Sequence, residues 1–392
     1  MKQFGIIVFL AFFLAGPAHA DEQQAGKSDH RLVKDGIASF ESDGFSVDFH
    51  TRVQVWGGWV DDQALLENGD RMQDPGFRLR RARFGIDGDF LGDFGYELEL
   101  DLFDQERTGG PLYGATIGWE PCDYFGLKVG FDKMPVIQSE IQSSARLPHL
   151  DRPMGTYLIS PAHALGMTVH VHPWLDHMTL TMGVYNGLRR LSSNLHEGYE
   201  AVGITKGNRL EGLAVAGRLD IIPLNAIGKN LEDLCGCKKF RLATGVGAFL
   251  NNWGRLSLND GTYQTAGVSA YLHTKIAGFH FFGEYSREWV EPQQQPTTPV
   301  PVGEIGTERF VANASLGYVI SPINLGLAVR GEFIDARTTV DDEGDEWLIS
   351  GTVTYYILGE FLKAQIEYIH REELHGQKIK NDAAIAGLQL FF

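Results

Sequence analysis

Cysteine is scarce: the 392 residues hold three, which allow at most one intramolecular bridge and so exclude a disulfide framework. Cys235-Gly236-Cys237 is too closely spaced for an unstrained bridge in an extended segment, which leaves Cys122 with one of that pair as the alternative. A metal reading of the trio needs histidine neighbours that the sequence does not place, so no metal and no cofactor is expected. Long apolar runs are missing as well. Beyond the first twenty residues none approaches the roughly 20 that a spanning helix needs, leaving a soluble protein or a membrane barrel. Positive charge is also short, with 34 Lys and Arg against 50 Asp and Glu and a formal charge of −16, which argues against a nucleic-acid partner.

What is present begins with an export pattern. Lys2 supplies a charge, Ile6 to Ala15 an apolar stretch, and Ala18-His19-Ala20 a small-x-small cleavage site. Residues 1–20 are expected to be a cleaved leader, 21–44 a periplasmic segment, and 45–392 the folded body. No cysteine follows the cleavage site, so no lipoprotein anchor is expected.

Glycine and aromatic residues are plentiful and the apolar residues are spread thinly, which favours strands over helices. Period-two alternation recurs throughout. Tyr96, Leu98, Leu100 and Leu102 alternate with Glu97, Glu99 and Asp101, and Met178, Leu180, Met182 and Val184 alternate with His177, Thr179, Thr181 and Gly183. Ala82 to Phe90 and Leu362 to Tyr368 do the same, one parity apolar and the other charged. A charged face of that kind cannot enter an apolar core, whereas a membrane barrel turns it toward an aqueous lumen.

The other strands are expected near Phe45 to Val60, Tyr113 to Trp119, Phe125 to Asp132, Leu165 to His172, Leu213 to Ile221, Phe240 to Leu250, Gln264 to Lys275 and Phe279 to Trp289. Further strands lie near Arg309 to Ile320, Ile323 to Ile334, Trp347 to Leu358 and Ala383 to Phe392. The fold class is therefore all-β, a transmembrane antiparallel barrel of about sixteen strands. Tight links such as Leu91-Gly92-Asp93 and Ser321-Pro322 alternate with long ones such as Met134 to Ala164, as short periplasmic turns alternate with outer loops. Two links strain this order: Asp104 to Pro111 is short for an outer loop, and Ile222 to Lys239 is long for a periplasmic turn. An undetected strand pair near the second is the expected source of any miscount. Both ends fall on the periplasmic side, and the chain stops on alternating Leu388-Gln389-Leu390-Phe391-Phe392. The acidic runs at Asp61 to Asp74 and Asp341 to Glu346 read as a solvated outer face.

Phe77-Arg78-Leu79-Arg80-Arg81-Ala82-Arg83-Phe84-Gly85, followed by Gly92-Asp93-Phe94-Gly95-Tyr96-Glu97-Leu98, resembles the phosphate-selective porin O and P family. Lys128-Val129-Gly130-Phe131-Asp132-Lys133-Met134-Pro135, Leu150-Asp151-Arg152-Pro153 and Gly183-Val184-Tyr185-Asn186-Gly187 continue the likeness, as do Gly36 to Val55, Gly217-Arg218-Leu219 and Gly283-Glu284-Tyr285. The terminal phenylalanine is similar to the assembly signal of bacterial outer-membrane barrels. The resemblance implies a homotrimer of sixteen-stranded barrels in the outer membrane, in contact with its lipid. It also implies that the third long loop, Met134 to Ala164, folds inward as a constriction, with basic residues along the passage.

A passive channel selects by width and by lining charge. With the apolar parity toward lipid, the inward cations include Arg52, Arg81, Arg83, Lys128, Arg218, Arg330 and Lys363, and the long loop adds Arg146 and Arg152. Arginine suits small anions, phosphate among them, because its fork donates in pairs and stays charged. Yet Asp48, Asp87, Asp89, Glu97, Glu99, Asp101, Asp132, Glu284, Glu332 and Glu367 share that face. Anion-selective passage and a general or cation-leaning pore for hydrophilic solutes both stay open. What decides is whether Arg81, Arg83, Arg146 and Arg152 gather at a constriction with the carboxylates elsewhere. His170 and His172 share the lumen face and read as polar lining. No spacing of Ser, His and carboxylates singles out a nucleophile and base, so an outer-membrane hydrolase has no motif behind it.

Overall fold

The computed structural model describes residues 38–60, 65–66, 70–71, 76–103, 111–161, 163–190, 199–200, 212–255, 262–292, 308–338, 341, 344–376, 378 and 380–392. The expected leader, most of the segment at 21–44, and much of the outer loops lie outside them.

Sixteen strands follow in chain order: β1 (Phe45–Val60), β2 (Gly76–Phe90), β3 (Phe94–Asp101), β4 (Leu112–Cys122), β5 (Phe125–Lys133), β6 (His163–Trp174), β7 (Met178–Asn186), β8 (Leu213–Leu224), β9 (Arg241–Arg255), β10 (Thr262–Ile276), β11 (Phe279–Pro292), β12 (Glu308–Ile320), β13 (Leu325–Asp335), β14 (Asp345–Glu360), β15 (Leu362–Glu373) and β16 (Ala383–Phe391). Each pairs antiparallel with the next, and β16 returns to β1, with Arg52 opposite Phe391 and Val60 opposite Ala383. Closure satisfies the backbone groups that an open edge would leave bare in hydrocarbon, at several kcal/mol each. The expected sixteen strands are all present. A short strand, Ala38–Ser42, adds a hairpin to Phe45–Phe49 of β1.

Burial runs opposite to that of a soluble protein. Val329 and Ile366 are 56% and 64% exposed, whereas Ser350 and Lys363 are 3% and 1% exposed. Apolar side chains face outward and the polar parity faces the interior, the pattern of a barrel built for an apolar surround. Aromatic pairs sit at both rims, Phe90 with Phe94 and Phe279 with Tyr318 at one end and Phe310 with Phe333 at the other, where amphipathic rings suit the membrane interface.

Two connections pack against the inward side chains. The link from Met134 to Pro161 carries two short helices, α1 (Gln138–Ile141) and α2 (Met154–Ile159), and is almost wholly buried. Its Met134, Val136, Ile137, Leu158 and Ile159 form an apolar cluster with Phe249, Val311, Ile334 and Leu348 of the wall. The second is Asn225 to Phe240, which contains no strand. No undetected strand pair lies there, so the count of sixteen stands. Nor is the segment extended: the chain turns at Gly236, φ +58°, and Cys235 bonds to Cys237, so the spacing objection fails because its premise of an extended chain does. Cys122 is free and exposed.

Candidate functional site: a charged chamber beside an internal loop

The loop is fixed to the wall by carboxylates that its backbone finds ready made. Neither helix carries a side-chain cap of its own. Instead Glu284 on β11 accepts hydrogen bonds from the backbone of Gln138 at 2.5 Å and of Ser139 at 3.1 Å. Glu332 on β13 receives the Gly155 amide at 3.5 Å, and Glu367 on β15 the Leu150 amide at 2.7 Å. Glu284 and Glu332 thus cap helix-start amides of α1 and α2, while Glu367 meets a loop amide between them. Loop carbonyls are met in turn by wall donors: Lys363 to Leu147 at 2.6 Å, Gln389 to Ala145 at 2.9 Å and Gln365 to Pro148 at 3.1 Å. The wall recedes where the backbone comes near: a Cβ on Gly247 would lie 2.2 Å from the Val136 carbonyl oxygen.

A second knot ties the loop to β2. Asp151 accepts from Arg80 Nε at 3.0 Å, Arg81 Nη2 at 2.8 Å, the Tyr157 hydroxyl at 2.9 Å and the Arg152 amide at 2.8 Å. Arg330 reaches the Asp151 carbonyl at 2.7 Å, and Arg152 donates to the carbonyls of Ser139 and Gln142, both at 2.8 Å. The neighbouring Glu140 holds the Arg152 guanidinium protonated against the cost of its burial.

A chamber of about 1070 Å³ lies against β1 to β8 and the inner edge of the loop. Five of the nine cations singled out in the sequence line it: Arg52, Arg83, Lys128, Arg146 and Arg218. Arg52 donates to Ser144 at 2.8 Å and Ser143 at 3.0 Å. Arg83 lies 2.5 Å from Asp101 and 3.5 Å above the Tyr113 ring; Arg146 meets Glu360 at 3.2 Å. Arg218 chelates Asp220, its Nε at 2.7 Å, and Lys128 pairs with Asp132 at 2.9 Å. The other four stand elsewhere, so Arg81 and Arg152 do not gather with Arg83 and Arg146, and Lys363 is spent on the Leu147 carbonyl. Arg81 is buried in the Asp151 knot, and Arg152 and Arg330 border a separate cavity of about 50 Å³ with Glu332 and Glu367.

Charge is partly sorted along the chamber. Arg52, Arg83, Lys133, Arg146 and Arg218 line it beside the loop, interleaved with Glu99, Asp132, Asp220 and Glu360. Asp48, Asp87, Asp89, Glu97 and Glu120 line it toward the short turns, near the ends of β1 to β4. His170 and His172 belong to that acidic end, their rings 5.5 Å apart, His170 3.4 Å from Glu120 and His172 3.0 Å from Thr179. Sequence reasoning counted Glu284, Glu332 and Glu367 with the lumen charges; their capping role was invisible because it depends on which wall the loop meets.

Residues 53–234 match the family model for phosphate-selective porin O and P. The resemblance read from the sequence is borne out over that stretch. Among curated proteins, none matches the chain. Solved structures share the architecture at low identity. The outer-membrane channel DcaP of Acinetobacter baumannii is 14% identical, with a TM-score of 0.60 over 90% of this chain and 99% of that one. The anion-selective porin from Comamonas acidovorans is 11% identical, with a TM-score of 0.58 over 89% and 100%. OmpT of Vibrio cholerae in a trimer form is 11% identical, with a TM-score of 0.54 over 89% and 100%. At such identities the likeness shows the fold alone. Family match and fold together support an outer-membrane porin, a channel rather than an enzyme.

Proposed function

We propose that the chain is a passive outer-membrane porin for small hydrophilic solutes, with the loop from Met134 to Pro161 as its constriction and a preference for anions set there. The observation that carries this reading is the gathering of Arg52, Arg83, Lys133, Arg146 and Arg218 where the loop meets the chamber. In a narrow low-dielectric passage the local potential outweighs the total charge. Several of these cations also hold a carboxylate, which makes each a moderate site, and moderate sites in series permit both entry and exit. Phosphate is the anion that the matched family's description suggests.

The second reading, a general or cation-leaning pore, draws on Asp48, Asp87, Asp89, Glu97 and Glu120 at the chamber's other end. Reversal potentials across planar bilayers in a salt gradient separate the two. An anion-directed potential with phosphate blocking chloride current supports the first; a cation-directed potential without block refutes it.

The proposal includes a homotrimer, a state that OmpT of Vibrio cholerae also takes, set in outer-membrane lipid, with residues 1–20 removed on export, 21–44 as a periplasmic segment and 45–392 as the barrel. Terminal sequencing of the mature protein and its mass in detergent test these points.

A further inference from the structure

The remaining turns on the periplasmic side are one to four residues long, as at Phe361, Ala277-Gly278 and Ser321 to Asn324, which is all an antiparallel connection requires. The turn after β8 is different. Asn225 to Phe240 turns back into the barrel, and its middle, Leu231-Glu232-Asp233, is buried.

The wall holds that middle at each residue. Tyr356 donates to Glu232 at 2.9 Å, His273 to the Leu231 carbonyl at 2.9 Å, and Lys275 to the carbonyls of Ile227, at 2.8 Å, and Asn230. Asp233 receives the Gly278 amide at 2.8 Å and the Arg241 guanidinium. Such a set of buried charge-assisted bonds defines one position rather than a range. The Cys235–Cys237 bond closes the turn just beyond it.

The segment also reaches the internal loop. Leu231 packs with Leu147 of the loop and Phe282 of β11, its amide 3.3 Å from the Arg146 carbonyl. Gln142 donates to the Lys229 carbonyl at 2.7 Å. These contacts set Lys229 on the chamber wall together with Arg146 and Glu360.

We infer that Asn225 to Phe240 is a second restriction on the passage, inserted from the periplasmic end and joined to the first, and that Lys229 is its selectivity residue. The inference rests on the porin reading. Two walls of different origin then meet at Arg146: the loop supplies its guanidinium, and the turn supplies the Lys229 ammonium on the side facing the acidic mouth. An anion crossing the chamber passes both cations in succession.

The test uses the full-length protein in planar bilayers. In a Cys122→Ser background, Lys229→Cys is labelled with a negatively charged methanethiosulfonate, complete labelling being verified by mass spectrometry. Single-channel conductance is expected to fall roughly twofold or more, because the adduct narrows the route and reverses its charge. Lys229→Glu, an exposed change that leaves the buried ties alone, is expected to move the reversal potential toward cations. Unchanged conductance after complete labelling, or an unchanged reversal potential for Lys229→Glu, overturns the inference. Absence of any conductance from the unmodified protein refutes the porin reading instead.

Discussion

Arg81 and Asp151 meet 2.8 Å apart between the barrel wall and the loop inside it, and both are buried. Asp151 also takes Arg80, so one carboxylate balances two guanidinium groups that water cannot reach. Removing it strands those charges, at a cost of about 3–5 kcal/mol for a broken buried pair. Asp151→Ala is expected to lower stability by that order in urea titrations followed by tryptophan fluorescence. Loss below about 1 kcal/mol would mean the knot is solvated.

Gly247 permits the loop to lie against β9, since a Cβ there would meet the Val136 carbonyl at 2.2 Å. Gly247→Val is expected to displace the loop without opening the barrel, at about 1–3 kcal/mol of strain. The folded band on unheated gels should persist while conductance changes. A lost folded band would show that the wall, not the loop, gives way.

The wall was legible before the structure; the interior was less so. Period-two alternation identified every strand because lipid on one side and water on the other leave the sequence no freedom. The alternation says nothing about which inward charge meets which. Arg83 faces the chamber while Arg81, two residues away on the same face, is buried under Asp151, and the difference lies in where the loop descends. The turn after β8 looked too long for its place, and its purpose was hidden because its ties to His273, Lys275 and Tyr356 are remote in sequence.

Arg146 stands at the junction of loop and chamber and meets a half-exposed Glu360. Arg146→Glu reverses the local sign and is expected to cut the anion-to-cation permeability ratio by roughly twofold or more, read from reversal potentials in dilute salt. An unchanged ratio would place selectivity elsewhere.

His149, in the loop, lies between Thr352 at 2.7 Å and Ser315 at 2.9 Å. Burial, aided by Arg330, pushes its imidazole below the ordinary value of 6.5. The unfolded chain therefore binds the proton more readily, so the stability this residue contributes is full above 6.5 and declines as the pH falls below it. The urea midpoint is expected to drop on acidification, and His149→Gln should flatten that decline. Identical slopes in both proteins would exclude His149 as the titrating group.

Gln54 and Gln389 are bonded at 2.5 Å across 335 residues of chain, in the seam between β1 and β16. Until the final strand docks, the sheet has two bare edges, and every earlier strand pair exists only in a curved ribbon open to other chains. The barrel is thus closed only when β16 meets β1. All sixteen strands must be present before the edges are sealed, which makes the time spent as an unsealed ribbon the interval when aggregation competes with folding.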